Sequence, residues 1–138
     1  MKEKVVLAFS GGLDTSFCVP YLKNEKGFEV HTIMVNTGGF SDEEVKRIEE
    51  RALQLGAESH TTVDAVESYY NNGIKYLIFG NILKNNTYPL AVSSERIFQA
   101  LEVLRHVKKL GAKHVAHGST GAGNDQIRFD MTFLVCAP

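Results

Sequence analysis

Three clusters of residues carry groups suited to holding anions or zwitterions. The first is Ser10-Gly11-Gly12-Leu13-Asp14-Thr15-Ser16. Glycines lack a Cβ, so their backbone N–H groups can approach an anion closely. Ser10, Thr15 and Ser16 add hydroxyl donors. A helix starting here would aim its positive end at the same point. The simpler alternative is a tight turn with Asp14 as a helix cap. The second cluster is His117-Gly118-Ser119-Thr120-Gly121-Ala122-Gly123-Asn124-Asp125-Gln126-Ile127-Arg128-Phe129. Its glycines free the backbone, and Thr120, Asn124, Asp125, Gln126 and Arg128 follow closely. Carboxylate and amide groups suit a ligand's ammonium, and a guanidinium suits its carboxylate. Here the alternative is a flexible loop closed by an Asn124 cap. The third, Tyr88-Pro89-Leu90-Ala91-Val92-Ser93-Ser94-Glu95-Arg96, reads alone as a turn into a capped helix.

The elements around these clusters alternate between strand and helix. Val5 to Phe9 is an unbroken apolar run, as in a strand buried on both faces of a parallel sheet. A helix follows from about Asp14 to Asn24, and Phe28 to Asn36 is a second strand. Ser41-Asp42-Glu43-Glu44 has the form of a capping box. Behind it Val45, Ile48, Ala52 and Leu55 make one apolar stripe, and Gly56 suits a left-handed cap. Glu58 to Val63 is a third strand, and Asp64-Ala65-Val66-Glu67 opens a further helix with the same kind of box. Gly73 to Pro89 mixes helix and loop, Ser94 to Leu110 is a helix, and Lys113 to His117 is a fourth strand. Asn124 to Cys136 is expected to be a helix with Ile127, Met131, Leu134 and Val135 inward. The alternation predicts an α/β fold, a doubly wound parallel sheet with right-handed crossovers. Ligands of such folds lie beyond the carboxyl ends of the strands, where the glycine-rich turns fall.

The first loop has no lysine after its glycines, so it is not a G-x-x-x-x-G-K-[ST] loop, and it is not G-x-G-x-x-G. It resembles the S-G-G-x-D-[ST] signature of the ATP pyrophosphatase (PP-loop) superfamily, enzymes that split ATP between the α- and β-phosphates. Ala8 to Ser16 and His117 to Phe129 together resemble the two signatures of the argininosuccinate synthase family, in the right order and separation. That resemblance implies a ligase using ATP and Mg2+ to join citrulline and aspartate through a citrullyl-AMP, releasing AMP and pyrophosphate. It implies an ATP site at Ala8, Phe9, Ser10, Gly11, Gly12, Leu13, Asp14, Thr15, Ser16, Val35 and Gly118. It implies citrulline on Tyr88, Ser93, Asn124 and Arg128, and aspartate on Thr120, Asn124 and Asp125, with Asp14 and Asp125 the catalytic candidates. His117, beside the second loop, is expected to have a structural role. Family members continue past this point and are expected to be homotetramers, so residues 1–138 are expected to be one ATP-binding domain of a truncated chain. Three stretches depart from the family's commoner pattern. These are Val35-Asn36-Thr37-Gly38-Gly39, Val92 to Ile97, and Ala122 where a lysine is common.

Bulk properties narrow the alternatives. A net charge of −1 argues against a non-specific nucleic-acid binder. Five apolar residues after Lys4 are too few for a signal peptide or a membrane span, which predicts a cytoplasmic protein. Cys18 and Cys136 are expected to be reduced, buried thiols and do not resemble a thiolation enzyme's catalytic pair. His31, His60, His106 and His114 lack metal-site spacing, and no protein metal site is expected. A tRNA-thiolating or amide-forming PP-loop enzyme, a nucleotide-sensing module and an ATP-binding fragment without turnover are the competing readings. The sensing module has no use for the residues from Thr120 to Arg128.

Overall fold

The computed structural model of the chain describes residues 2–137. Four parallel strands form the sheet, β1 (Lys4–Ala8), β2 (Glu29–Asn36), β3 (Ser59–Asp64) and β6 (His114–His117), in the order β3-β2-β1-β6. The helices are α1 (Leu13–Pro20), α2 (Asp42–Gln54), α3 (Val66–Tyr69), α4 (Lys75–Phe79), α5 (Ala91–Leu110) and α6 (Asn124–Cys136). A wider, π-type turn extends α1 over Tyr21–Glu25, and another joins α3 to α4 over Tyr70–Ile74. The stretch expected to mix helix and loop ends in a small antiparallel hairpin of β4 (Leu83–Lys84) and β5 (Tyr88–Pro89).

β1 is central because its residues are apolar on both faces. Val5, Leu7 and Phe9 pack with Val19 of α1 and Ala52 of α2. On the other face Val6 joins Ile33 and Val35, with Ala100, Val103 and Leu104 of α5 and Phe129 and Phe133 of α6. Burying each of the larger side chains is worth about 1.5–3 kcal/mol, which ties both helix layers to one strand. The register sets Ala8 beside Ile33 on one side and His117 on the other. Connections therefore leave β1 and β6 at the same carboxyl edge, at the point where the strand order reverses.

Several expectations need correction. In α6 the inward side chains are Phe129, Thr132 and Phe133, while Ile127, Met131, Leu134 and Val135 are exposed. The helix is apolar on more than one side, and the two phenylalanines stack with His117 against the sheet. The same shift exposes Cys136, whereas Cys18 is half-buried and burial pushes its thiol pKa up. Asp64 does not open a capping box. Its carboxylate accepts from the Val66 N–H at 3.1 Å, a local turn, and Ala65 occupies the N-cap. α5 begins three residues before Ser94 and buries Ala100, Val103 and Leu104, leaving Ile97 exposed.

The box at Ser41 is present in full. The Ser41 hydroxyl accepts from the Glu44 N–H, and the Glu44 carboxylate accepts from the Ser41 N–H at 2.9 Å. That backbone bond, then the hydroxyl, holds the Glu44 carboxyl below its ordinary range. The box therefore contributes fully above the usual glutamate range and fades as pH falls through the lowered value. Ser41→Ala is expected to cost about 1 kcal/mol in urea unfolding at neutral pH. The wild-type advantage should shrink under acid conditions; a cost independent of pH would show that Glu44 takes no part.

Candidate functional site

The first loop turns sharply out of β1. The Phe9 N–H donates to the Ile33 carbonyl at 2.8 Å, continuing the ladder one residue past the strand. Gly11 then adopts φ 75°, and a Cβ there would lie 2.9 Å from Ile48 of α2. Glycine is required by conformation and by space alike. Gly12 is the N-cap of α1 and provides no side-chain cap. Ser10 Oγ lies 3.3 Å from Thr15 Oγ1, and the Thr15 hydroxyl donates to the Gly12 carbonyl at 3.3 Å. These hydroxyls gather over the open helix start. From the other side Arg51 Nε donates to Ser16 Oγ at 3.0 Å, bringing a guanidinium from α2 to the base of the loop.

The second loop leaves β6 and presses on the first. A Cβ on Gly118 would meet Thr15 Cγ2 at 2.8 Å and the Thr15 backbone N at 3.1 Å. Farther along, Ala122 sits at φ 63°, a left-handed conformation costly for a residue with a Cβ. α6 opens at Asn124 behind another glycine N-cap, Gly123, again without a side-chain cap. Asp125 in its first turn accepts from two guanidiniums, Arg96 Nε at 3.1 Å and Arg128 Nη1 at 3.0 Å. Arg128 Nη2 donates to Ser93 Oγ at 2.9 Å, which ties the start of α5 to α6.

Two adjoining cavities result. A narrow one of about 250 Å³ is lined by Ala8, Phe9, Ser10, Thr15 and Val35 with Phe40, Arg96, His117, Gly118 and Phe129. A wider one of about 630 Å³ is lined by Asp14, Tyr88, Ser93, Thr120, Asn124, Asp125 and Arg128, with Lys84 from the hairpin. Gly118, Ser119 and Asp125 line both and form the shared wall. Of the residues expected from sequence, Val35 lines the narrow cavity and the amino-acid-binding candidates line the wide one, while Gly12 and Ser16 line neither. Gly11 lies apart in a groove along α2 beside Arg47 and Arg51, and the Leu13 side chain points to solvent.

Residues 4–138 match the Arginosuccinate synthase N-terminal HUP domain along nearly the whole chain. The chain belongs to that family. Relatives named argininosuccinate synthase include that of Xylella fastidiosa, 48% identical over 94% of this chain and 32% of its own length. Those of Saccharolobus solfataricus and Methanocaldococcus jannaschii are 45% and 41% identical over 98% and 100% of this chain, each over 34% of their own. The chain spans about a third of the length of these curated relatives. Among solved structures, an NMN synthetase from Francisella tularensis is similar with a TM-score of 0.63 at 12% identity, over 88% of this chain and 47% of that one. A predicted subunit of tRNA methyltransferase from Methanocaldococcus jannaschii gives a TM-score of 0.54 at 23% identity, over 88% and 55%. Both likenesses show the shared fold alone.

Within this HUP domain several site residues lie outside the motif-based expectation. Arg96 was part of the third cluster but had no assigned role, and it is an ion-pair partner of Asp125. The pairings of Arg51 with Ser16 and of Asp130 with His117 carry no local signal, because the partners are 35 and 13 residues apart. Three of the four histidines considered for metal binding are engaged otherwise, and His106 Nε2 is buried without a hydrogen-bond partner among the described residues. His31 bonds Ser59 and Glu29, His60 bonds Thr32, and His114 bonds Glu3. Burial lowers the His60 pKa and favours its neutral ring. Among the described residues no helix is long and apolar enough to cross a membrane.

The loop contact gives a direct test. Gly118→Ala must push into backbone atoms of Thr15, whereas a Cβ on Gly121 meets nothing within 4 Å. Gly118→Ala is expected to lose about 1–3 kcal/mol in thermal unfolding, the usual cost of overpacking. Gly121→Ala should change little; equal effects would show that the two loops are not in contact.

Proposed function

We propose that the chain is the ATP-binding part of an argininosuccinate synthase, a ligase that activates citrulline with AMP and joins it to aspartate. The observation that carries this reading is the pair of open helix starts. α1 and α6 begin at glycine N-caps with no side-chain cap, and Asp14 of α1 lines one cleft with Asn124 and Asp125 of α6. α2, by contrast, has a complete capping box. Uncapped N–H groups and helix dipoles at one cleft suit anionic groups, a pyrophosphate at the α1 start and an amino-acid carboxylate near the α6 start.

The chemistry follows from the partition of the cavities. The narrow cavity, floored by Ala8, Phe9 and Val35, takes the adenosine. The N–H groups at the start of α1, with the Ser10, Thr15 and Ser16 hydroxyls, hold the departing pyrophosphate. Gly118 fits this role because a Cβ there would collide with Thr15 of the cradle. Tyr88, Ser93, Asn124 and Arg128 face the wide cavity and would take citrulline, and Thr120, Asn124 and Asp125 the aspartate. A ureido oxygen placed at the shared wall attacks the α-phosphate. The aspartate amine then displaces AMP. Positioning and charge stabilisation supply most of the rate in such transfers. Asp125, paired with two guanidiniums, fixes the site's polarity. Exposed Asp14, among hydroxyls, fits a hard cation such as Mg2+, bound mostly by nucleotide oxygens. The reaction would take place in the cytoplasm, in a homotetramer of the longer family form.

Calorimetry on residues 1–138 should show ATP-Mg binding, weakened at least about tenfold by Gly11→Val and by Asp14→Ala, about 1.4 kcal/mol or more. Unchanged affinity in both variants would mean the cradle lies elsewhere. In a chain extended to the relatives' length, pyrophosphate release should require citrulline. Release without it would overturn the substrate assignment.

A further inference from the structure

We propose that His117 is a positioning residue for the nucleotide, fixing the Gly118–Ser119 turn by accepting the Ser119 N–H through its Nδ1 atom. The inference rests on the ATP reading above and adds a residue to it.

His117 closes β6, and its ring contacts α6 and the turn that follows the strand. Nε2 lies 2.7 Å from Asp130 Oδ1 of α6. The other Asp130 oxygen accepts from Gln126 Nε2. An ionised carboxylate only accepts hydrogen bonds, so the imidazole proton sits on Nε2. The same bond, followed by that of Gln126, holds the Asp130 carboxyl below its ordinary range, which keeps it an acceptor. In the neutral ring Nδ1 then carries a lone pair. It meets the Ser119 N–H at 3.2 Å. The ring is stacked on Phe129 at 5.4 Å between centroids and rests against Phe133 at 6.0 Å. It can neither rotate away nor exchange tautomers without breaking these contacts.

The held backbone is the shared wall of the two cavities. It presses on Thr15 so closely that a methyl group on Gly118 would collide. A shift of half an ångström in the turn would move the wall against the cradle. A positioned site loses affinity steeply with such shifts. Asp130 therefore acts at one remove: it sets the tautomer, the tautomer sets the turn, and the turn meets the nucleotide.

Two substitutions separate the ring's two contacts. In His117→Asn, Oδ1 stands the same number of bonds from Cα as Nδ1 and can accept the N–H two residues on. In His117→Gln, Nε2 can still reach Asp130, but no acceptor remains for Ser119. His117→Phe removes both contacts and keeps the stacking. ATP-Mg calorimetry on residues 1–138 should show His117→Asn within about threefold of wild type, with His117→Gln and His117→Phe weakened about tenfold or more, the worth of one hydrogen bond. Amide exchange of Ser119, followed by NMR without nucleotide, should be slow in wild type and His117→Asn and fast in the other two. Any other ranking overturns the proposal, including equal loss in all three or retention in His117→Gln alone. If wild type fails to bind ATP, the nucleotide reading fails, and Ser119 exchange still decides whether His117 holds the turn.

Discussion

The parallel pairing of β1 with β6 is the constraint on which the rest of the site depends. It fixes Ala8 beside His117, so the two glycine-rich loops start one strand spacing apart and climb from the same edge. β2 and β3 extend the sheet on the opposite side of β1, which leaves the reversal of strand order between β1 and β6. Neither loop could reach the other if the strands were separated by another member of the sheet. The contact of Gly118 with Thr15 is the result, and it decides how the space above the edge is partitioned.

Much of this was legible in the sequence because much of it is local. The apolar run at Val5, the Ser41 box and the glycine turns each depend on neighbours within a few residues. Both loops were located correctly for that reason. α6 was misread for a physical reason: its sequence offers one apolar stripe through Ile127, Met131 and Leu134 and another through Phe129 and Phe133. Periodicity alone cannot rank two stripes. The aromatic pair faces inward because it stacks with His117 and fills the space beside Val6 and Ile33. The division of the site into two cavities, and the arrival of Arg51 and Arg96, depend on pairings across the fold that no spacing records.

Charge is distributed unevenly around the edge. The wall between the two cavities holds an ion cluster in which Asp125 is shared by Arg96 and Arg128, and Arg96 also approaches Glu95 at 3.7 Å. Such a cluster orders four side chains at once, so each additional contact costs less conformational entropy than an isolated pair. The first loop has no Lys or Arg of its own and offers backbone N–H groups and hydroxyls, with Arg51 donating to Ser16. One half of the site is built from side chains and the other from main chain. Substitutions will alter the first more readily than the second, because a backbone donor survives most changes of residue.

The glycine N-caps of α1 and α6 have a consequence for the lifetime of the chain. A side-chain cap is worth roughly 1 kcal/mol to a helix, and neither helix has one. An anion bound at such a start supplies what the sequence withholds, and binding to the native form alone raises its stability with ligand concentration. Local opening exposes backbone to proteases in proportion to the population of the open form. If the nucleotide proposed above is that anion, the susceptibility of this domain to proteases would fall as the nucleotide rises, through two helix ends.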